Sequence, residues 1–508
     1  MSQTKILPSA IRHSPFVIRY SLLPIVALGG FLRFYQIGSE GLWLDEAFSV
    51  WMARQPVGEM LSWAVRIDQH PPLYYSLLHR WMVALGDGEA AVRALSALFG
   101  TLTIPVIYLL GRRLADDKVG LLAALLFAVS PFHVRYAQEA RMYTLLALNV
   151  SLALYALACL LDRRRRGGLA WLAYVFFTIA TLLTHNTAVF FPAAVSIFVL
   201  LLIHVRLPNT EYRIPNTNFL RNWLLAQLAV LLLWLPWLPA FVTQSAGVYR
   251  EFWLPAPTWE TVAGVVGAFL SDFLPLSLAW ACVVWSLFAG LALLGIAYFR
   301  RRPARILFLA IVFATPFVGE LLVSLRRPIF HAPSLIWASL PLYLLLAAGI
   351  RRLCRWPYVL AAVLAVLAVN TLSLREYHVH FEKEQWDDAA AFVAEQVSPD
   401  DLILFNATWV QIPFDYYFHR LYNRPVAEHG VPVDLFDRGV LEPQMSADDV
   451  PRLLTLAQDR ERVWLVYSHD WYTDPQGLIP LALGGELDML GRWGFNGLQV
   501  RLYGRRDD

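Results

Sequence analysis

Two carboxylates stand side by side at Asp45 and Glu46, in the stretch GLWLDEAFSVW at residues 41–51. Acids in the first turn of a helix complement its dipole, and that reading accounts comfortably for one of them. The flanking Trp43, Leu44, Phe48 and Trp51 give the second reading. An acid half-buried among aromatic rings gains proton affinity, which suits a general base taking a proton from a hydroxyl. The residues alone leave both readings open.

Further along, YAQEARMY (136–143) returns polar groups to an apolar stretch. On a continuous helix Arg135, Glu139 and Tyr143 share one face at i, i+4 spacing, with Gln138 and Arg141 beside it. The alternative is a salt-bridged helix end whose arginines reach out of the membrane. In SLRRPIFHAPS (324–334), Arg326, Arg327 and His331 form a basic cluster that calls for an anion, either lipid headgroups or a phosphate. Glu320 lies inside an apolar run, where ionisable residues are functional candidates, or it pairs with one of those arginines. His70, before Pro71-Pro72, reads as a phosphate contact or a helix cap. His185 and Asn186 occupy a very short loop, where solvation is the simpler account. The sequence carries no phosphate-binding glycine-lysine loop, Rossmann glycine fingerprint, zinc-protease helix or serine-hydrolase elbow. No nucleotide-binding site is expected.

What positions these groups is a membrane. Of 508 residues, 57% are hydrophobic and only 16% charged, and 19 are tryptophan. Soluble domains are nearer half apolar and a quarter charged. The net charge of +3 is too small to point to nucleic acid. Cys159, Cys282 and Cys354 imply neither a disulfide framework nor a metal site. About eleven stretches have the length and apolarity of spans: 17–36, 90–110, 118–134, 141–161, 169–184, 187–204, 222–242, 277–299, 304–325, 334–350 and 357–374. Arginine-dense loops at 111–118, 162–168, 299–305 and 351–356 alternate with loops poorer in basic residues. By the positive-inside rule the N-terminus is cytoplasmic. Asp45, Glu46 and everything beyond residue 374 are then extracytoplasmic. The stretch HPPLYYSLLHRWMVALG is expected to start a helix near Pro72 on the outer membrane face.

Residues 375–508 change composition. EKEQWDDAAAFVAEQV has helical periodicity, SPDDLILFNA reads as turn then strand, RVWLVYSHD as a strand, and the last twenty residues as a two-stranded finish. The expected fold is thus an α-helical polytopic membrane protein of residues 1–374, with external surface helices at 37–89, and a small extracytoplasmic α/β domain at 375–508.

Four segments together resemble the C-type (GT-C) membrane glycosyltransferases, in the family 39 branch of protein O-mannosyltransferases and lipid A aminoarabinose transferases. They are LWLDEAFS, HPPLYY, VRALSALFGTLTIPVIYLLGRRL and SPFHVRYAQEARMYTLLA, and the resemblance covers roughly residues 16–350. It implies an inverting transfer of sugar from a polyprenyl-phosphate donor to an acceptor hydroxyl (glycolipid, glycan or protein) at the outer face of the cell inner membrane. Asp45 is then the expected base, Glu46 completes the acidic pair, and Glu139 positions the acceptor or a divalent cation. Mg²⁺ or Mn²⁺ held by Asp45 and Glu139 would suit such acids. His70 falls near the donor phosphate, and Gln138, Arg141, Tyr143, His185, Arg326, Arg327 and His331 line the substrates. Where many relatives have Arg-Tyr, this chain has Pro333-Ser334; if that arginine holds phosphate, Arg326, Arg327 or His331 must substitute for it, or donor handling differs. The rival is a transporter or flippase of lipid-linked saccharides, which asks for charges at the midplane and paired broken helices.

Overall fold

The computed structural model describes residues 15–162, 167–204, 217–250, 254–275, 277–435, 437 and 443–506. The arginines at 163–166, on which one basic loop rests, lie outside them. In chain order the helices begin with α1 (Pro15–Phe34), α2 (Leu44–Arg54), α3 (Val57–Arg66), α4 (Leu73–Leu85), α5 (Glu89–Leu114), α6 (Asp117–Ala128), α7 (Pro131–Ala137) and α8 (Tyr143–Leu161). They continue with α9 (Gly168–Leu182), α10 (Phe190–His204), α11 (Thr217–Trp234), α12 (Leu238–Arg250), α13 (Trp259–Ser271), α14 (Leu278–Phe299), α15 (Pro303–Ser324), α16 (Ser339–Arg352) and α17 (Trp356–His380). Every expected span is helical where described. Among the described residues, seven helices are long and apolar enough to cross a membrane on those grounds alone, or eight if the pair α6 and α7, bent by 59°, counts as one. The expected count of eleven is thus not confirmed, some stretches being short or broken. Helix α16, for example, has 14 residues and rises only about 21 Å at 1.5 Å per residue, against a hydrocarbon core of about 30 Å. The protein is a multi-pass membrane protein.

The chain divides into two compact units. The first comprises Met1–Gln36, Arg93–Pro239 and Leu254–Phe381. Its helices meet through small residues. A Cβ at Gly295 would collide with the carbonyl of Leu345, and one at Gly349 with the carbonyl of Leu291. Glycine therefore lets α14 and α16 touch backbone to backbone, the usual device for helix association in lipid.

The break between α6 and α7 has identifiable causes. Asp116 caps α6, accepting from the amides of Lys118 and Val119 at 2.9 Å each. At the other end, the Phe127 carbonyl takes a long backbone bond from the Ser130 amide, at 3.4 Å, and that of Ala128 faces the interior past the last helical turn. Arg33 of α1, wholly buried, donates to both, at 3.2 and 2.9 Å, and to Gly29 of its own helix at 2.9 Å. A cation at a helix C-terminus is favourable, and in a dry interior it replaces the water the carbonyls lack. Ser130 then caps α7 with Pro131 in its first turn. The Ser130 and Tyr343 hydroxyls meet at 2.7 Å, and His133 Nε2 meets the Ser339 hydroxyl at 2.7 Å, fixing α7 against α16.

The second unit comprises Ile37–Val92, Ala240–Trp253 and Glu382–Asp508. It holds helices α2, α3 and α4, the last starting one residue after Pro72 as expected, and an α/β fold. Its strands are β1 (Leu402–Asn406), β2 (Ala427–Gly430), β3 (Arg462–Ser468), β4 (Leu487–Phe495) and β5 (Leu498–Arg505), in the order β2-β1-β3-β5-β4. Strand β1 pairs parallel with β2 and β3, while β5 pairs antiparallel with β3 and β4. All five residues of β1 are buried, the continuous apolar run expected of a central parallel strand. Helices α18 (Trp386–Gln396), α19 (Gln411–Leu421), α20 (Val450–Ala457), α21 (Asp470–Thr473) and α22 (Leu478–Glu486) complete the fold. Gly497, at φ 81°, makes the tight turn between β4 and β5.

Replacing Arg33 by Met removes the side-chain donors at the end of α6, stranding the Ala128 carbonyl and leaving that of Phe127 to the long bond from Ser130. The variant should lose about 2–4 kcal/mol, read as earlier thermal unfolding in detergent. Unfolding at the wild-type temperature would show that the α6 terminus does not need this cation.

Candidate active site

In the second unit, α2 starts at Leu44, and Trp43 offers it no side-chain cap. The caps come from 340 residues away. Leu44 N donates to Glu384 Oε2 at 3.1 Å, and Trp386 Nε1 donates to the same oxygen at 2.7 Å. Leu42 N donates to the Tyr417 hydroxyl at 2.7 Å. Glu46 is fully buried and takes a hydrogen bond from Lys383 Nζ at 3.0 Å, in an ion pair whose side chains are 0% and 7% exposed. Lys383 N in turn donates to Glu40 Oε2 at 3.0 Å. The two acids of LWLDEAFS are therefore not equivalent. Adjacent helical residues point about 100° apart; Glu46 turns inward and is neutralised by Lys383, whereas Asp45 keeps a half-buried carboxylate. Glu46 anchors α2. Lys383 is 337 residues away, so sequence spacing could not connect it to Glu46.

His70 sits ahead of α4 with Nδ1 3.1 Å from Asp68 Oδ1. Asp68 also accepts from Gln69 N at 2.6 Å. A carboxylate on Nδ1 orients the ring and leaves Nε2 as the outward atom. Gln244 ties the same turn down, donating to the carbonyls of Ala64 at 2.8 Å and His70 at 3.2 Å.

In the first unit, YAQEARMY does not continue a helix. α7 ends at Ala137 and α8 begins at Tyr143, so the expected single face of Arg135, Glu139 and Tyr143 does not exist. The chain turns because Gln138 is diverted: its Nε2 lies 2.7 Å from the Tyr35 carbonyl and 3.3 and 3.4 Å from those of Leu32 and Arg33, clasping the end of α1. Gln138 thereby serves the fold. Arg135 still reaches Glu139, Nε to Oε1 at 3.3 Å, and lies 3.8 Å from Asp272 Oδ2. Its guanidinium stacks over the rings of Tyr136, Phe273 and Phe381 at 5.0–5.2 Å. Glu139 is 2% exposed. Burial pushes the Asp272 carboxyl up to about 6, against the lowering charge of Arg135. Phe273 beside it has φ 67°, which costs a bulky residue about 1–2 kcal/mol; its ring is held by Tyr377 and Phe381 at 4.8 and 5.2 Å. Such strain gathers at functional positions. Asp272, Phe273 and Lys383 carried no signal in spacing, since each acts through a partner distant in sequence.

The remaining expected residues are placed as follows. Arg141 is buried, with its guanidinium 5.9 Å from the Tyr143 ring. His185 is buried rather than solvated, capping the next turn by accepting from Thr187 N at 3.2 Å. Arg326 is exposed, and Arg327 and His331 are half-buried. Fully buried Glu320 does not pair with an arginine among the described residues. Its Oε2 accepts from the Ser334 hydroxyl at 2.9 Å and faces the His331 amide at 3.5 Å. Ser334 is thus this carboxyl's partner.

Asp45 lies in the second unit and Glu139 in the first, where it faces the Arg135 guanidinium at 3.3 Å. No step below is routed through Mg²⁺ or Mn²⁺.

Removing one partner of the Glu46–Lys383 pair leaves a buried charge and should cost about 3–5 kcal/mol. Lys383→Met and Glu46→Gln should each destabilise, and the double variant should recover much of the loss. Additive losses in thermal unfolding would show the two side chains to be independent.

Residues 69–238, about a third of the chain, match the family described as dolichyl-phosphate-mannose-protein mannosyltransferase. An undecaprenyl phosphate-alpha-4-amino-4-deoxy-L-arabinose arabinosyl transferase of Pseudomonas aeruginosa is 32% identical over 281 residues, 52% of this chain and 48% of that protein. The chain spans about half the length of the curated relatives it matches. Among solved structures, ArnT from Cupriavidus metallidurans superposes with TM-score 0.64 in the apo state, at 14% identity and over 96% of this chain and 98% of that one. Its form bound to undecaprenyl phosphate gives 0.62, at 15% identity and over 94% and 97%. The oligosaccharyltransferase AglB from Archaeoglobus fulgidus, with an inhibitory peptide and a dolichol-phosphate, gives 0.57 at 12% identity over 97% and 74%. The chain therefore shares the fold of ArnT and AglB, and its residues 69–238 carry the mannosyltransferase-family pattern.

Proposed function

We propose that the protein is an inverting glycosyltransferase that moves a sugar from a polyprenyl-phosphate donor to an acceptor hydroxyl on a glycolipid, glycan or protein. The observation that carries this reading is the start of α2. Asp45 is half-buried on a helix whose neighbouring acid is buried against Lys383, whose first amide is capped by Glu384 and whose entry is held at Leu42 by Tyr417. A rigid frame that leaves one carboxylate at the margin is what a general base requires. In the reaction Asp45 takes the acceptor's hydroxyl proton as that oxygen bonds to the sugar's anomeric carbon. The bond from that carbon to the phosphate oxygen breaks, and the phosphate leaves with the electron pair. One base and no covalent sugar intermediate give inversion. The charge developing on the phosphate needs cations, for which His70, Arg326, Arg327 and His331 are the candidates. Glu139, with Arg135, is assigned to positioning the acceptor.

The relatives' names support the donor class: the Pseudomonas enzymes are named for an undecaprenyl-phosphate sugar, and two fold neighbours hold polyprenyl phosphates. The transferred unit is a pentose or hexose, the arabinosyl relatives favouring a pentose. We place the reaction at the extracytoplasmic face of the inner membrane. The N-terminus is then cytoplasmic, residues 1–374 form the glycosyltransferase domain, and residues 375–508 form an α/β domain outside.

Asp45→Asn preserves shape and should keep donor affinity while transfer falls by roughly 10²–10⁴, the worth of a positioned base. Near-wild-type transfer by purified Asp45→Asn would remove Asp45 from the chemistry. Orientation has its own check: alkaline phosphatase fused after Asp508 should be active, whereas a working cytoplasm-only reporter there would place the α/β domain on the wrong side.

A further inference from the structure

Helix α19 and strand β2 bring together three metal-donor side chains that the proposed reaction does not use. Asp415 and His419 stand one turn apart on α19, and Glu428 is the second residue of β2. One donor atom from each lies within 4.8 Å of the other two. His419 Nε2 is already 3.1 Å from Glu428 Oε1, and Gln411 Nε2 is 3.4 Å from Glu428 Oε2. Asp415 Oδ1 is shut off from solvent with no hydrogen-bond partner. A buried carboxylate oxygen without a donor is costly unless something positive meets it. Burial, and then the charge of Glu428, push the Asp415 carboxyl well above the usual carboxylate range.

We propose that Asp415, His419 and Glu428 bind one divalent transition-metal ion of the Zn²⁺ class. One imidazole nitrogen with two carboxylate oxygens suits Zn²⁺ or its neighbours, whereas Mg²⁺ and Ca²⁺ prefer oxygen throughout. Bonds of about 2.0–2.2 Å place tetrahedral ligand atoms roughly 3.3–3.6 Å apart, so side-chain adjustments of about an ångström close the site around the ion. Three protein ligands leave the fourth position to water. Seated there, the ion pins α19 to β2. The same helix carries Tyr417, which holds the entry to α2 through Leu42, and Tyr416, whose hydroxyl donates to the Asp87 carbonyl at 2.6 Å. The ion is therefore a brace for the unit rather than a participant in sugar transfer, and the proposal stands or falls independently of that reaction.

The test uses full-length protein in detergent, stripped with chelator and dialysed, then titrated with ZnCl₂. His419 is exposed, so His419→Ala should fold, and Glu428→Gln keeps its shape. Elemental analysis should find one Zn²⁺ more per chain in the wild type than in either variant, and Zn²⁺ should raise the unfolding temperature of the wild type alone. Equal uptake by wild type and both variants would mean adventitious binding elsewhere and overturn the assignment. So would a proton shared by Asp415 and Glu428 in the ion's place, recognised by Asp415→Asn raising the metal-free unfolding temperature while Zn²⁺ leaves the wild type unchanged.

Discussion

Arg33 meets the end of α6 inside a helix bundle where no water can do so. In lipid a helix may stop only where protein satisfies the freed carbonyls. The guanidinium delivers parallel donors to Phe127 and Ala128, so the chain can turn by 59° and start α7. Everything that gives the first unit its polar character follows from that turn. Gln138 is freed from a helix to clasp α1, Arg135 reaches both Glu139 and Asp272, and Phe273 is held in a strained conformation beside them.

The second unit obeys the same rule for charge. Glu46 enters a dry interior because Lys383 enters with it, and Glu384 completes what Trp43 cannot supply at the start of α2. Buried pairs of this kind add little net stability, since desolvation offsets attraction, but breaking one is expensive. Their effect is to specify geometry. Glu46 thereby becomes a fixture of α2, and the direction of the helix that carries Asp45 is set with it.

Much was legible in the sequence because it is local. Apolar runs of span length give helices whatever their neighbours, since hydrocarbon forces backbone hydrogen bonds to close within the segment. Pro72 before α4, the buried run Leu402–Asn406 and the closing hairpin likewise follow from propensity and pattern.

Tertiary structure alone decided what each polar residue is for. That Glu46 is spent on Lys383, that Gln138 holds a helix end, that Glu320 answers Ser334 rather than an arginine, and that the helix breaks before Glu139 all depend on partners tens or hundreds of residues away. Composition and periodicity report how a segment will partition between water and lipid. They carry no term for the pairwise electrostatics of groups brought together by folding, and in a medium of low dielectric those terms determine which charges are buried and which remain available for chemistry.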